Sequence, residues 1–103
     1  MKLSAFKGSL ARDKPPKGIS RALEALWWDA KGDWDKAHGL AQDAGAAGAW
    51  VHAYLHRKEG DVGNARYWYC QAGQGVQTAD APFDREWDEI ARALLEENEA
   101  AGH

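Results

Sequence analysis

The stretch WVHAYLHRKEGDVGNARYWYCQAGQG, residues 50–75, has the pattern of one helix, a turn at Gly60-Asp61 and a second helix. Apolar and small residues recur at helical spacing on both sides of that turn, and Gly73 follows the last of them. Glycine tolerates the left-handed backbone that ends a helix, and aspartate is a preferred residue at a helix N-cap. The stretch therefore predicts an antiparallel helical hairpin.

A second hairpin is predicted because residues 22–45 repeat the same small-residue skeleton. Residues of this kind occur where packed helices approach closely or where a turn requires a special backbone. We therefore expect hairpins at 19–45 and 48–75, joined by the glycine-alanine segment 45–48. The identical positions, at an offset of 28, are Ala25 with Ala53, Gly32 with Gly60, Asp33 with Asp61, Ala37 with Ala65, Ala44 with Ala72 and Gly45 with Gly73.

Residues 83–99 carry the clearest amphipathic pattern in the chain, directly after the stop signal Pro82. Apolar residues such as Trp87, Ile90 and Leu94 share one face, and the opposite face is strongly acidic. A helix with these two faces is typical of the terminal cap of a helical stack. The pattern therefore predicts a C-terminal capping helix over residues 82–100.

Residues 1–18 are predicted to be an N-terminal basic arm outside the core. They end in a Lys-Pro-Pro-Lys run at positions 14–17, which stops any helix. The remainder, residues 19–103, forms a single helical-repeat domain in this interpretation. The expected fold class is all-α, with two antiparallel helical hairpins and a C-terminal capping amphipathic helix.

The composition limits the class of protein. The 103 residues suffice for one domain, and the apolar share of 45 % relies on alanine and six tryptophans. A net charge of −3 argues against a nucleic-acid partner, although residues 1–21 carry +5 and residues 80–103 carry −6. No apolar run is long enough for a secretory signal or a membrane span, so no membrane partner is expected. The single cysteine, Cys70, excludes an intrachain disulfide and fits a cytoplasmic location.

The paired hairpins resemble the tetratricopeptide and Sel1-like repeat superfamily over residues 19–75. The motif Ala65-x-x-Trp68-Tyr69-x-x-Ala72 is close to the Sel1-like signature of the second helix. The resemblance implies stacked hairpins and the binding of a protein or peptide on a concave surface. With the family's turn set on each Gly-Asp pair, the matching positions are Ala25 and Ala53, Trp28 and His56, Ala37 and Ala65, and Ala44 and Ala72.

The expected function is that of an intracellular protein-protein interaction module. Tryptophan, tyrosine and arginine are frequent interface anchors, and two hairpins leave one flank unpaired, around Trp27 or Trp28. That flank requires a folded-back arm, a homodimer or a protein or peptide partner. The candidate partner-binding residues are Trp28, Trp50, His52, His56, Arg57, Tyr67 and Trp68.

His52 and His56 are four residues apart, a spacing that lets two imidazoles on one helix face share a metal ion. Two histidines alone do not complete a site, and no acidic residue lies between them as in an HExxH motif. The pattern favours histidines packed inside the fold, with partner binding second. A metal- or small-ligand-binding protein or an enzyme remains the alternative. We expect no catalytic residue, no cofactor and no metal.

Overall fold

A computed structural model describes residues 1–78 and 80–101, without the side chain of Ala101. These residues contain helices and no strand, so the predicted all-α class is confirmed. In chain order the helices are α1 (Leu3–Gly8), a 3-10 turn (Ser9–Ala11), α2 (Arg21–Ala30), α3 (Trp34–Ala41), α4 (Gly45–Lys58), α5 (Val62–Ala72) and α6 (Phe83–Ala101).

The two Gly-Asp turns are built alike. Gly32 and Gly60 each have a φ of +85°. The aspartate after each glycine donates its N–H to the carbonyl five residues earlier, at 2.9 Å for Asp33 and 3.0 Å for Asp61. Each aspartate carboxylate also accepts from the N–H three residues later. These bonds satisfy backbone groups at both ends of the turn, and they place α2 against α3 and α4 against α5.

Helix α4 begins earlier than the sequence indicated. Residues 45–48 were expected to connect the hairpins, but they form the first turn of α4. Gly48 is buried here, and a Cβ atom at this position would lie 2.5 Å from the carbonyl oxygen of Ala41 and from the Cβ of Ala44. The glycine therefore lets α4 start directly against the end of α3. Gly39 of α3 differs, because in the described chain no atom of another element lies within 4 Å of the position that its Cβ would occupy.

Helix α6 lies across both hairpins. It packs against α2 and α4 and also contacts α1, and its apolar stripe of Ile90, Leu94 and Leu95 is buried. The indole N–H of Trp87 donates to the carbonyl oxygen of Leu26 at 2.9 Å. The expected position of this helix, as a cap over one end of a stack, is therefore wrong. The amphipathic helix itself forms as predicted, because its periodicity is a local property of the sequence.

The N-terminal segment folds back onto the core. Phe6 is fully buried, and its ring stacks on Trp87 with 5.7 Å between the centroids. The Ser9 hydroxyl accepts a hydrogen bond from the indole N–H of Trp27 at 3.0 Å, and Trp27 is fully buried beneath the segment. The prediction of residues 1–18 as an arm outside the core is therefore wrong for Phe6. The flank at Trp27 was expected to be covered by a folded-back arm, a homodimer or a partner. In the structure the N-terminal segment covers it.

Two helical glycines provide a matched test of this packing. Gly39→Ala should raise the free energy of unfolding by about 0.5–1 kcal/mol, because alanine favours the helix and the site is open. Gly48→Ala should lower it by about 1–3 kcal/mol, because the new methyl group meets the backbone of α3. Urea denaturation of both variants measures the difference. A stabilised Gly48→Ala variant would contradict the contact between α3 and α4.

Candidate functional site

Three of the four histidines in the sequence converge on one place between α3 and α4. His52 and His56 are buried on α4, and His38 of α3 is partly exposed. One ring nitrogen of each lies within 4.8 Å of those of the other two. We call these residues the three-histidine cluster. Sequence reasoning found His52 and His56 but missed His38. No local pattern shows which residues of α4 lie opposite His38 of α3.

The closest contact in the cluster joins His38 and His52. Their Nε2 atoms are 2.6 Å apart, so one nitrogen carries a proton and the other accepts it. Two imidazoles on a tetrahedral zinc ion, with Zn–N bonds of about 2.0–2.1 Å, place their nitrogens about 3.3 Å apart. The two rings would have to separate by only about 0.7 Å to admit the ion in place of the proton.

His56 is oriented by a carboxylate. Its Nδ1 lies 2.5 Å from Oε1 of Glu59, so Nδ1 carries the proton and Nε2 is left to act as a ligand. Metal-binding histidines typically donate their second ring N–H to a carboxylate in this way. Asp61 forms a further group with His56 and Glu59, but both acidic side chains are exposed. The carboxylate of Glu59 therefore fits the role of a supporting hydrogen-bond acceptor.

His52 is 5 % exposed, and its Nδ1 has no hydrogen-bond partner among the described residues. Burial, together with the neighbouring His38 and His56, lowers the pKa of His52 to about 4. The pKa of His38 is lowered as well, first by burial and then by His56. Both rings are therefore in the neutral imidazole form at neutral pH, and this is the form that binds a metal ion.

Two tryptophans form the walls of the three-histidine cluster. Trp34 of α3 stacks on His38, with ring centroids 4.7 Å apart and planes 15° apart. Trp68 of α5 lies 4.1 Å from His52 between ring centroids. Both indoles are half-buried, so they restrict the imidazole rings and limit the access of water. Side chains from α3, α4 and α5 thus hold the cluster.

The predicted partner-binding residues do not share one surface. His52, His56 and Trp68 belong to the three-histidine cluster. Trp28 is half-buried beneath the ammonium group of Lys36, which lies 4.0 Å from the ring centroid. The other two aromatic residues differ in exposure: Trp50 is half-buried against the apolar core, and Tyr67 is 56 % exposed.

Arg57 is the seventh candidate, and the structure places it in the interior. Its Nε donates to Oε1 of Glu86 at 2.8 Å, and its Nη1 donates to the carbonyl oxygens of Thr78 and Ala81. Glu86 also accepts a hydrogen bond from the hydroxyl of Tyr69. Arg57 was predicted as a partner-binding residue, but it is 5 % exposed and its charge is paired inside the fold.

No protein-family model, curated protein or solved structure matches this chain. Within residues 1–78 and 80–101, no helix combines the length and the apolar character needed to cross a bilayer. The chemistry of the three-histidine cluster is therefore the basis for a functional proposal.

The buried histidines predict a pH-dependent stability of the metal-free protein. Between pH 6.5 and about pH 4 the unfolded chain binds a proton at residue 52 that the folded chain does not, so acidification favours unfolding. In the presence of a chelator, lowering the pH from about 7.5 to about 5 should cost about 2 kcal/mol through His52. Denaturant titrations at several pH values measure this change.

The control for this prediction is the same series on one variant. His52→Gln should flatten the pH dependence between about pH 5 and 7. The side chains whose charges act on the pKa of His52 are His38, His56 and Glu59. A wild-type stability that does not change over this range would contradict the neutral, buried state of His52.

Proposed function

We propose that this protein binds a divalent transition-metal ion of the zinc class through His38, His52 and His56. The observation that supports it best is the convergence of three ring nitrogens within 4.8 Å of one another, from two helices. Imidazole nitrogens suit Zn²⁺, Cu²⁺ and Ni²⁺, whereas Mg²⁺ and Ca²⁺ prefer oxygen ligands. The sequence left metal binding open as an alternative to an interaction module. The three-histidine cluster favours that alternative.

The competing explanation is that the histidines are only packed inside the fold. Packed polar rings are normally satisfied by hydrogen bonds. In this cluster the Nε2 atoms of His38 and His52 share one proton at 2.6 Å, and Nδ1 of His52 has no partner among the described residues. A metal ion replaces the close nitrogen–nitrogen contact with two coordinate bonds. Metal binding thus accounts for the convergence of these ring nitrogens, whereas Nδ1 of His52, which lacks a partner in the described chain, is left unsatisfied in either case.

Calorimetric titration of untagged, chelator-treated protein with Zn²⁺ tests this proposal. We expect one ion per chain, and we expect His38→Ala to weaken binding by roughly 100-fold or more. Glu59→Gln, which keeps the shape but not the charge of the acceptor, should weaken binding by about 10–100-fold. His103→Ala compares the effect of removing the fourth histidine of the sequence. Equal Zn²⁺ affinities for wild type and His38→Ala would exclude the site.

Protein-protein interaction is a second candidate function, favoured by the outer face of α5. In the described chain α5 packs chiefly against α4, and this leaves Tyr67 56 % exposed and Val62 47 % exposed. The flank expected at Trp27 is covered by the N-terminal segment. The surface available for a partner therefore lies on α5.

The candidate occupant of this surface is a second copy of the chain. The two identical Gly-Asp turns, 28 residues apart, support a tetratricopeptide- or Sel1-like stacking of the two hairpins. Repeats of this kind usually need three or more hairpins to bury their apolar faces. A two-fold dimer through α5 would supply them. Cys70, exposed on the same helix, is compatible with the reducing cytoplasm that we propose as the location.

Light scattering tests the dimer. The wild type should show twice the mass of one chain, whereas Tyr67→Asp should be monomeric, because a charge at this exposed aromatic position is costly to bury in an interface. Tyr67→Phe serves as the control and should remain dimeric. A wild type that is monomeric at concentrations up to about 1 mM would exclude this interface.

A further inference from the structure

The N-terminal segment, residues 1–11, lies in a groove between α2 and α6. The ring of Phe6 stacks on Trp87 of α6, with 5.7 Å between the centroids. On the other wall, the Ser9 hydroxyl accepts from the indole N–H of Trp27 of α2 at 3.0 Å. We call this surface of α2 and α6 the arm groove. Its observed occupant is a short helix of the same chain, and that occupant shows which chemistry the groove accepts.

The occupant has three apolar anchors at helical spacing. Phe6 is fully buried, and Leu3 and Leu10 are partly buried against the core. Anchors at positions i, i+3 and i+7 are those by which an amphipathic helix binds in a hydrophobic groove. The arm groove therefore accepts the apolar face of a helix.

Two cavities show that α1 is too short to fill the arm groove. Helix α1 has six residues, about 9 Å, whereas α6 has 19, about 28 Å. A cavity of about 230 Å³ lies beside the start of the segment, between residues 1–3 and residues 92–99 of α6. Another of about 300 Å³ lies beside its end, between residues 7–10, α2, α4 and the first turns of α6. A longer helix laid along α6 in the same direction would reach both cavities.

The charges of the groove and of its occupant are complementary. The wall formed by α6 is acidic where it lines the two cavities, through Asp84, Asp88, Glu96 and Glu99 against Arg92. The occupant is basic, and the ammonium group of Lys7 lies 3.0 Å from the carboxylate of Asp88. Residues 1–21 carry a net charge of +5, and residues 80–103 carry −6. A helix that binds along α6 is therefore favoured by lysine or arginine on the flank that faces this wall.

The segment is held mainly by the burial of Phe6. A helix of six residues is marginal in water, so α1 forms because it packs on the core. Its ion pair with α6 is solvent-exposed, with Lys7 48 % and Asp88 33 % exposed, and exposed pairs contribute little. Terminal segments are among the parts of a fold that open most readily. A longer helix with more anchors can therefore take the place of α1.

We infer that the arm groove is the docking site of a basic amphipathic helix from a partner protein, and that residues 1–11 occupy it as an internal competitor. When the segment is displaced, Trp27 and Trp87 contact the partner, and tryptophan is a frequent interface anchor. The arm groove is formed by α2 and α6, whereas the three-histidine cluster lies on α3 and α4 and the proposed dimer face on α5. Its test is therefore independent of both proposed functions.

Titration with a fluorescein-labelled peptide tests this inference. The probe is a synthetic helix of about 18 residues, about 27 Å long, with leucine, phenylalanine and leucine at the spacing of Leu3, Phe6 and Leu10 and with lysine on one flank. The full-length wild type should bind it. Phe6→Ala should bind it at least about tenfold more tightly, because the competing segment has lost its buried anchor. The NMR signal of the Trp27 indole N–H should shift on binding, because Ser9 leaves as its acceptor.

A matched pair of charge variants leaves the buried anchor in place. Lys7→Glu puts a carboxylate beside Asp88, loosens the segment and should tighten peptide binding about two- to fivefold. Lys17→Glu makes the same charge change at an exposed residue of the linker and should leave the affinity unchanged. If Phe6→Ala does not fold, the comparison of these two variants decides. An acidic version of the peptide, with glutamate in place of lysine, should bind at least about tenfold more weakly.

Each failure overturns a different part of the inference. No peptide binding to any of these chains at about 1 mM would exclude the arm groove as a docking site. Equal affinities of wild type and Lys7→Glu would overturn the role of the segment as a competitor. An acidic peptide that binds as tightly as the basic one would overturn the charge of the partner. A mass that doubles in Lys7→Glu relative to wild type would assign the groove to a second copy of the chain instead of a partner protein.

Discussion

The position of α6, and with it much of the core, depends on the buried ion pair between Arg57 and Glu86. Both residues are at most 5 % exposed, and Nε of the guanidinium lies 2.8 Å from Oε1 of the carboxylate. Arg57 also binds two carbonyl oxygens of the linker before α6, and Tyr69 of α5 donates to Glu86. Burial and the bond to Glu86 raise the pKa of Tyr69, which keeps it a neutral donor. Breaking such a pair from one side typically costs about 3–5 kcal/mol, because a buried charge is left uncompensated.

Helix α4 connects this ion pair with the candidate metal site. Arg57 fixes α4 to α6, while His52 and His56 of the same helix contact His38 of α3. The next residue, Lys58, donates to Asp29 of α2 at 2.9 Å. A helix held by neighbours on several sides keeps its side chains in fixed rotamers, and a binding site built on it is pre-organised. The packing of α4 thus fixes the relative positions of the three histidine side chains, which come from two helices.

Local signals in the sequence predicted the turns, the caps and the amphipathic helix, because each depends on residues a few positions apart. Asp33 and Asp61 cap helices as expected. The features that sequence reasoning missed are long-range. Glu86 lies in the first turn of α6, and its partner Arg57 is 29 residues away in the sequence. His38 is 14 residues from His52, and only the crossing of α3 over α4 brings their rings together.

The unpartnered Nδ1 of His52 limits how tightly the cluster can hold a metal ion. In the metal-free chain one proton lies between the Nε2 atoms of His38 and His52. A metal ion on Nε2 of His52 requires the ring proton to reside on Nδ1, which is buried and lacks an acceptor among the described residues. A buried donor without a partner costs about 1–3 kcal/mol. His56 avoids this cost because Glu59 accepts its Nδ1 proton. The two histidines of α4 therefore contribute unequally to affinity, and His52 is the weaker ligand of the two.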